Sequence, residues 1–157
     1  MTRRTRRTSR TRRAATGTAS LELVIVAPFL LALLMLIIAF GRYAQTENLV
    51  DQAARDAARA ATAQNDRSAV SGIVDDVVDE AMLDAPPSCR TSAEADPPRM
   101  TPGAFGLPDP NDPIAIDSVS VTVHCTLDLS DLAALPLRSV EVERTFTSPL
   151  DRYRGYR

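Results

Sequence analysis

Tryptophan and lysine are missing from this chain of 157 residues, histidine occurs once, and there are two cysteines and six glycines. Each shortage excludes something. The lone His124 has no second histidine with which to hold zinc or build a triad. Cys89 and Cys125 are far apart in sequence and form no C-x-x-C pair, and six scattered glycines leave no phosphate-cradling loop. A G-x-S-x-G elbow is also lacking. Four Phe and three Tyr are a thin aromatic supply for a core, and the length allows one domain of ordinary size at most. A non-enzyme without cofactor or metal is the expectation.

The 18 basic residues are all Arg, against 20 acids, for a net charge of −2. Seven of them (Arg3, Arg4, Arg6, Arg7, Arg10, Arg12 and Arg13) precede residue 14, where no acid occurs. The remaining 11 Arg face all 20 acids, so residues 14–157 carry −9. A basic tail on an acidic body suggests two different surroundings.

Leu23 to Phe40 is a run of 18 residues without a charge or a hydrogen-bonding side chain. With Leu21 and Gly41 added, a helix over this stretch is roughly 30 Å long, the thickness of a bilayer hydrocarbon core. No polar face marks it as the core helix of a soluble protein. Pro28 removes a backbone hydrogen bond early in the run, and a kink is expected there. The arginines before the span predict a cytoplasmic N-terminus and an extracytoplasmic residue 42 onward. The other readings are a signal peptide cut near Ala39-Phe40-Gly41 and an Arg-rich nucleic-acid arm. The run is too long for the first, and the second lacks interleaved aromatics, so no nucleic-acid partner is expected.

A carboxylate at the lip of such a span needs a reason. Glu22 follows Gly17-Thr18-Ala19-Ser20-Leu21, and the order of basic leader, Gly, four residues, Glu and apolar run resembles a type IV prepilin-like signal. Residues 17–61 are more narrowly similar to the N-terminal signature of TadE-like proteins, minor pseudopilins of the tight-adherence (Tad/Flp) pilus machinery. The matching elements are the Gly17/Glu22 spacing, Pro28, Phe40-Gly41-Arg42 and the run from Gln52 to Ala61. The resemblance implies cleavage by a prepilin peptidase between Gly17 and Thr18. The new Thr18 ammonium of one subunit would then pair with Glu22 of a neighbour. It also implies partnership with other pilin-like subunits, the Tad assembly platform and membrane lipid.

Beyond the span, residues 42–64 lack Pro and favour a continued helix, with Ala54, Ala57, Ala58 and Ala61 as a small-residue stripe. That stripe suits the protein's own sheet or a neighbouring subunit, or reflects helix propensity alone. Asp51 with Arg55, and Asp56 with Arg59, are spaced for ion pairs. A second helix is expected from a Ser68 cap to about Leu83, with Asp75, Asp76, Asp79 and Glu80 on its solvated side. Eight prolines over 85–115 predict an irregular loop, in which Asp109-Pro110-Asn111-Asp112 lacks the pattern of a calcium loop. Alternation from Ser118 to Leu129 predicts a strand with His124 outward, and Val140, Val142 and Phe146 mark another, interrupted by Arg144. Cys89 and Cys125 lie outside the membrane in this orientation, where a disulfide between them is expected.

The expected fold class is α+β. A leader (1–17), a transmembrane helix (18–41) and its extension (42–64) precede a small pilin-like head (65–150) and a tail (151–157) counted as mobile, from Leu150 by side-chain pattern. Two functions compete: a minor pilin-like assembly subunit, and an unprocessed single-pass anchored binding module. A secreted enzyme is the remaining alternative.

Overall fold

The structure is a computed structural model that describes residues 16–106, 116–132 and 138–151, with side chains from Glu22 onward. The Arg leader, Asp109 to Asp112, Pro136 and the tail beyond Asp151 lie outside the described residues. A single helix, α1 (Thr16–Ala63), runs without interruption through Pro28 and onto the head. A 3₁₀ turn (Arg67–Ala69) and α2 (Val70–Ala81) follow. Then come a short helix α3 (Pro87–Ser92) and strands β1 (Glu94–Ala95), β2 (Arg99–Met100), β3 (Ser118–Asp128) and β4 (Ser139–Pro149). The architecture is α+β, as the alternating and helical periods predict.

The four strands form one antiparallel sheet. β3 is its middle, pairing with β4 along its whole length, from Ser118 opposite Pro149 to Asp128 opposite Ser139. On its other side β1 and β2 take up short stretches, Glu94 opposite His124 and Arg99 opposite Ser120. Val119, Val121, Val123, Cys125 and Leu127 point into the core and are buried, while Ser120, Thr122, His124 and Thr126 face the other way. The outer face is tied across strands by hydroxyl pairs, Ser120 with Thr147 at 2.7 Å and Thr122 with Thr145 at 2.8 Å.

The core is closed by α1 and α2. Thr46, Val50, Ala53, Ala54, Ala57, Ala58 and Ala61 of α1 are fully buried, at three- and four-residue intervals on one face. The alanine stripe is therefore used by the protein's own head. Small side chains let the sheet and α2 approach the helix backbone closely. α2 contributes Val70, Val74 and Val78 to the same core, followed by Met82, and turns Asp75, Asp76, Asp79 and Glu80 outward.

Four details differ from the sequence reading. The second helix is led in by the 3₁₀ turn, whose cap is Asp66: its carboxylate accepts the Ser68 N–H at 2.9 Å, while α2 itself begins after Ala69 with no side-chain cap, and Ser68 is not the cap. An Asp takes this position because its ionised oxygen is the stronger acceptor. The proline-rich stretch is partly regular: Pro87 starts α3, where its missing N–H costs nothing, and β1 and β2 follow as edge strands of two residues each. Leu150 is not tail; it is buried and its N–H donates to Asp117 O at 2.8 Å. Finally, Asp51 pairs with Arg55 at 2.9 Å, while Asp56 and Arg59 form no ion pair among the described residues.

Cys89 at α3 and Cys125 on β3 form a disulfide that closes 36 residues of sequence separation. Ser88 and Ser92 of α3 reinforce it, their hydroxyls accepting the N–H groups of Asp128 at 3.0 Å and Thr126 at 2.8 Å. Cys89→Ala with Cys125→Ala is expected to lower head stability by about 4 kcal/mol on the chain-entropy account, read by denaturant unfolding with and without reductant. Ala57→Leu, which adds bulk at a fully buried position of the alanine face, is expected to cost about 1–3 kcal/mol. Its check is the unfolding midpoint of the detergent-solubilised protein.

Candidate functional site: the apolar helix and its junction with the head

The first half of α1 presents large apolar side chains on every face. Leu23 is 70% exposed, Phe29 75% and Phe40 65%, with Ile25, Leu30, Leu33 and Ile37 similarly open. In water this surface would cost far more than a protein of this size gains on folding, since each such side chain is worth about 1.5–3 kcal/mol on burial. Its natural surroundings are hydrocarbon or other apolar helices. α1 is one helix long and apolar enough to cross a membrane. Pro28 leaves the carbonyl one turn before it without its usual donor, and the helix continues regardless.

At the inner end, Gly17 and Thr18 lie in the first turns of α1. Glu22 is exposed where the apolar run begins, and has no ion-pair partner among the described residues. It is the one carboxylate on the lipid-type surface.

Toward its C-terminal end the helix is strapped to the head by contacts that climb both elements together. Arg42 donates to Asp131, just after β3, at 2.5 Å. Glu47 pairs with Arg144. The guanidinium of Arg55 lies 5.4 Å from the ring centre of Phe146, and the hydroxyls of Thr62 and Ser148 are 3.4 Å apart. β4 therefore ascends alongside α1 in the same direction. The turn between β3 and β4 lies at the membrane-type end, and the start of β3 lies at the far end.

Sequence reasoning singled out Arg144 only as a fault in a strand. It is instead a tie: its side chain binds Glu47 and also donates to the Glu143 carbonyl at 2.8 Å. The signal was the interrupted alternation, but its partner is 97 residues away and no local pattern identifies it. Asp131, the partner of Arg42, was equally invisible. His124 faces outward, as expected, and is partly covered there, with Nδ1 3.8 Å from Asp96 and Nε2 4.0 Å from Glu94 of β1. Among the described residues no three His, Cys, Asp or Glu side chains are gathered to hold a metal ion.

Residues 17–59 match the family described as TadE-like protein. The N-terminal segment of the chain is TadE-like. The match ends within the part of α1 that packs on the head, so the sheet, α2 and α3 fall outside it. No curated protein and no solved structure is significantly similar to the chain. The TadE-like match and the one helix among the described residues that is long and apolar enough to cross a membrane together fit a membrane-anchored protein associated with Tad pili.

The turn after β3 also sets a pH dependence. Asp128 accepts the Ser130 N–H at 2.8 Å, and this bond, followed by the Ser130 hydroxyl, holds its carboxyl below the ordinary Asp range. A depressed native pKa stabilises the fold above the unfolded value, about 3.9 for Asp, and the contribution is lost as pH falls through the native value. Asp128→Asn is therefore expected to be less stable than the parent above that range and to converge with it in acid. Carboxyl chemical-shift titration and unfolding at several pH values check this.

Proposed function

We propose that the protein is a non-catalytic minor pilin-like subunit that takes part in assembling a Tad/Flp-type adhesion pilus. Its N-terminal helix sits in the membrane and packs with other pilin-like helices, and its head faces the extracytoplasmic side. The observation that carries the reading is one continuous helix, apolar all round over the run from Leu23 to Phe40, with Glu22 at its lip and a folded head at its other end. A receptor anchor would need only the apolar length. A carboxylate at the start of the lipid-facing segment adds a demand for a cation, which a neighbouring subunit's amino terminus meets.

In this reading a prepilin peptidase removes the Arg leader between Gly17 and Thr18. The Thr18 ammonium of one copy then pairs with Glu22 of another pilin-like helix. That pairing sets the axial register of packed helices, because any other register leaves a bare carboxylate among apolar side chains. The seven leader arginines hold the N-terminus in the cytoplasm until cleavage. The Arg42–Asp131 and Glu47–Arg144 ties transmit the helix position to the head.

The decisive measurement is the mature N-terminus, by mass spectrometry of membrane-extracted protein from cells carrying the pilus assembly genes. A start at Thr18 is expected. A start at Met1 or Thr2 overturns the reading in favour of an unprocessed anchored binding module, and one near Arg42 in favour of a secreted head.

A further inference from the structure

The apolar run has no length to spare. It is bounded by Glu22 at one end and Arg42 at the other, and its 18 residues make about 27 Å of helix, against roughly 30 Å of hydrocarbon. The bilayer boundary on the head side therefore lies at Phe40 or beyond it. Sliding the helix outward to lift the head would draw Glu22 into the hydrocarbon.

The head nevertheless reaches below that boundary. Ala39 is only 6% exposed, although it belongs to the apolar run, and Met35, one turn earlier, packs against the same buried cluster. On the other faces Ile37 and Phe40 remain 60% and 65% exposed. One side of the outermost turn of the span is thus covered by protein and the rest is open. The element at this level is the end of the β3–β4 hairpin. Asp131 is held to Arg42 at 2.5 Å. Leu129 and Leu132 are buried beside it, and Ser130, Asp131 and Arg138 are exposed.

We propose that this base of the head is a membrane-contact surface: Ser130, Asp131 and Arg138, beside the adjoining ends of β3 and β4, are seated in the lipid headgroup layer. The inference rests on α1 spanning a bilayer and goes beyond the pilus assignment. The chemistry suits the layer. Arg138 and the Arg42–Asp131 pair, with Asp128 close by, are charged groups at this level, in a zone where such side chains reach headgroups and stay hydrated. The far end of the head has no such option. Ile116 and Asp117 lie at the level of Ser148 and Thr62, some 20 residues up α1 from Arg42, or about 30 Å along the helix. The head accordingly stands on the bilayer, and two supports fix its tilt, the helix and the lipid surface.

The absence of tryptophan makes single-reporter fluorescence clean. Full-length Phe40→Trp, Ser130→Trp and Ile116→Trp variants are reconstituted in phosphatidylcholine vesicles, with and without bromine-labelled acyl chains. The expected result is that Ser130→Trp loses emission on bromination nearly as much as Phe40→Trp, whereas Ile116→Trp keeps its emission. Arg138→Trp probes the same surface if Ser130→Trp does not fold. Quenching of Phe40→Trp alone, with the Ser130 and Arg138 reporters behaving like Ile116→Trp, overturns this proposal and leaves the membrane helix standing. No quenching at Phe40→Trp overturns both.

Discussion

The close approach of the sheet to the alanine face of α1 is the contact on which the rest of the molecule depends. Ala53, Ala54, Ala57, Ala58 and Ala61 carry almost no side-chain volume, so the stabilisation comes from bringing β3, β4 and α2 up against the helix backbone. Such a contact is unforgiving, because dispersion falls off steeply with a small gap and a larger side chain has nowhere to go. It also explains how a head with few aromatics holds together. Valines on β3 and α2 meet alanines on α1, giving a thin core of branched against small residues. The Cys89–Cys125 disulfide limits the disorder that the unfolded head can gain.

The same helix must satisfy two solvents. Below Phe40 its side chains are apolar on every face; above Tyr43 it is amphipathic, with one face in the head core and the other in water. Because α1 is a single helix from Thr16 to Ala63, lacking only the bond that Pro28 cannot donate, any rotation or axial shift imposed on the lower half is passed to the upper half. The ties at Arg42, Glu47, Arg55 and Thr62 are spread along the shared length. No single exposed ion pair among them is worth much. Their value lies in register: β4 cannot slip along α1 without breaking several of them together.

Much of this was legible from residue order, and the limits have physical causes. Hydropathy alone marks the apolar run, since nothing polar competes within it. The two-residue period marks β3 because one of its faces is fully buried and the other is a hydroxyl row. β1 and β2 escaped because two residues cannot display a period, and because prolines around them signal a loop. Pro87 misled in the same way: at the first position of a helix it is an initiator. The capping role went to Asp66, at the start of the 3₁₀ turn, over Ser68 two residues on, a choice that depends on backbone angles. Long-range charge pairs such as Glu47 with Arg144 leave no local trace. Arg144 showed only that the strand's inward face needed something polar at that point.

Glu22 and Arg144 are opposite solutions to one problem, that of a charge where the surroundings are apolar. Arg144 stands on the inward face of β4 and is satisfied within the chain, by Glu47 and a main-chain carbonyl. Glu22 stands on a lipid-type surface with no cation among the described residues. The first charge contributes to a self-contained fold, and its loss would be felt by the isolated head. The second has no such partner among the described residues, and a carboxylate at a membrane lip adds cost unless it is paired. In the proposed assembly a neighbouring subunit's amino terminus supplies that partner, so the cost would be met by packing through the element that is apolar all round.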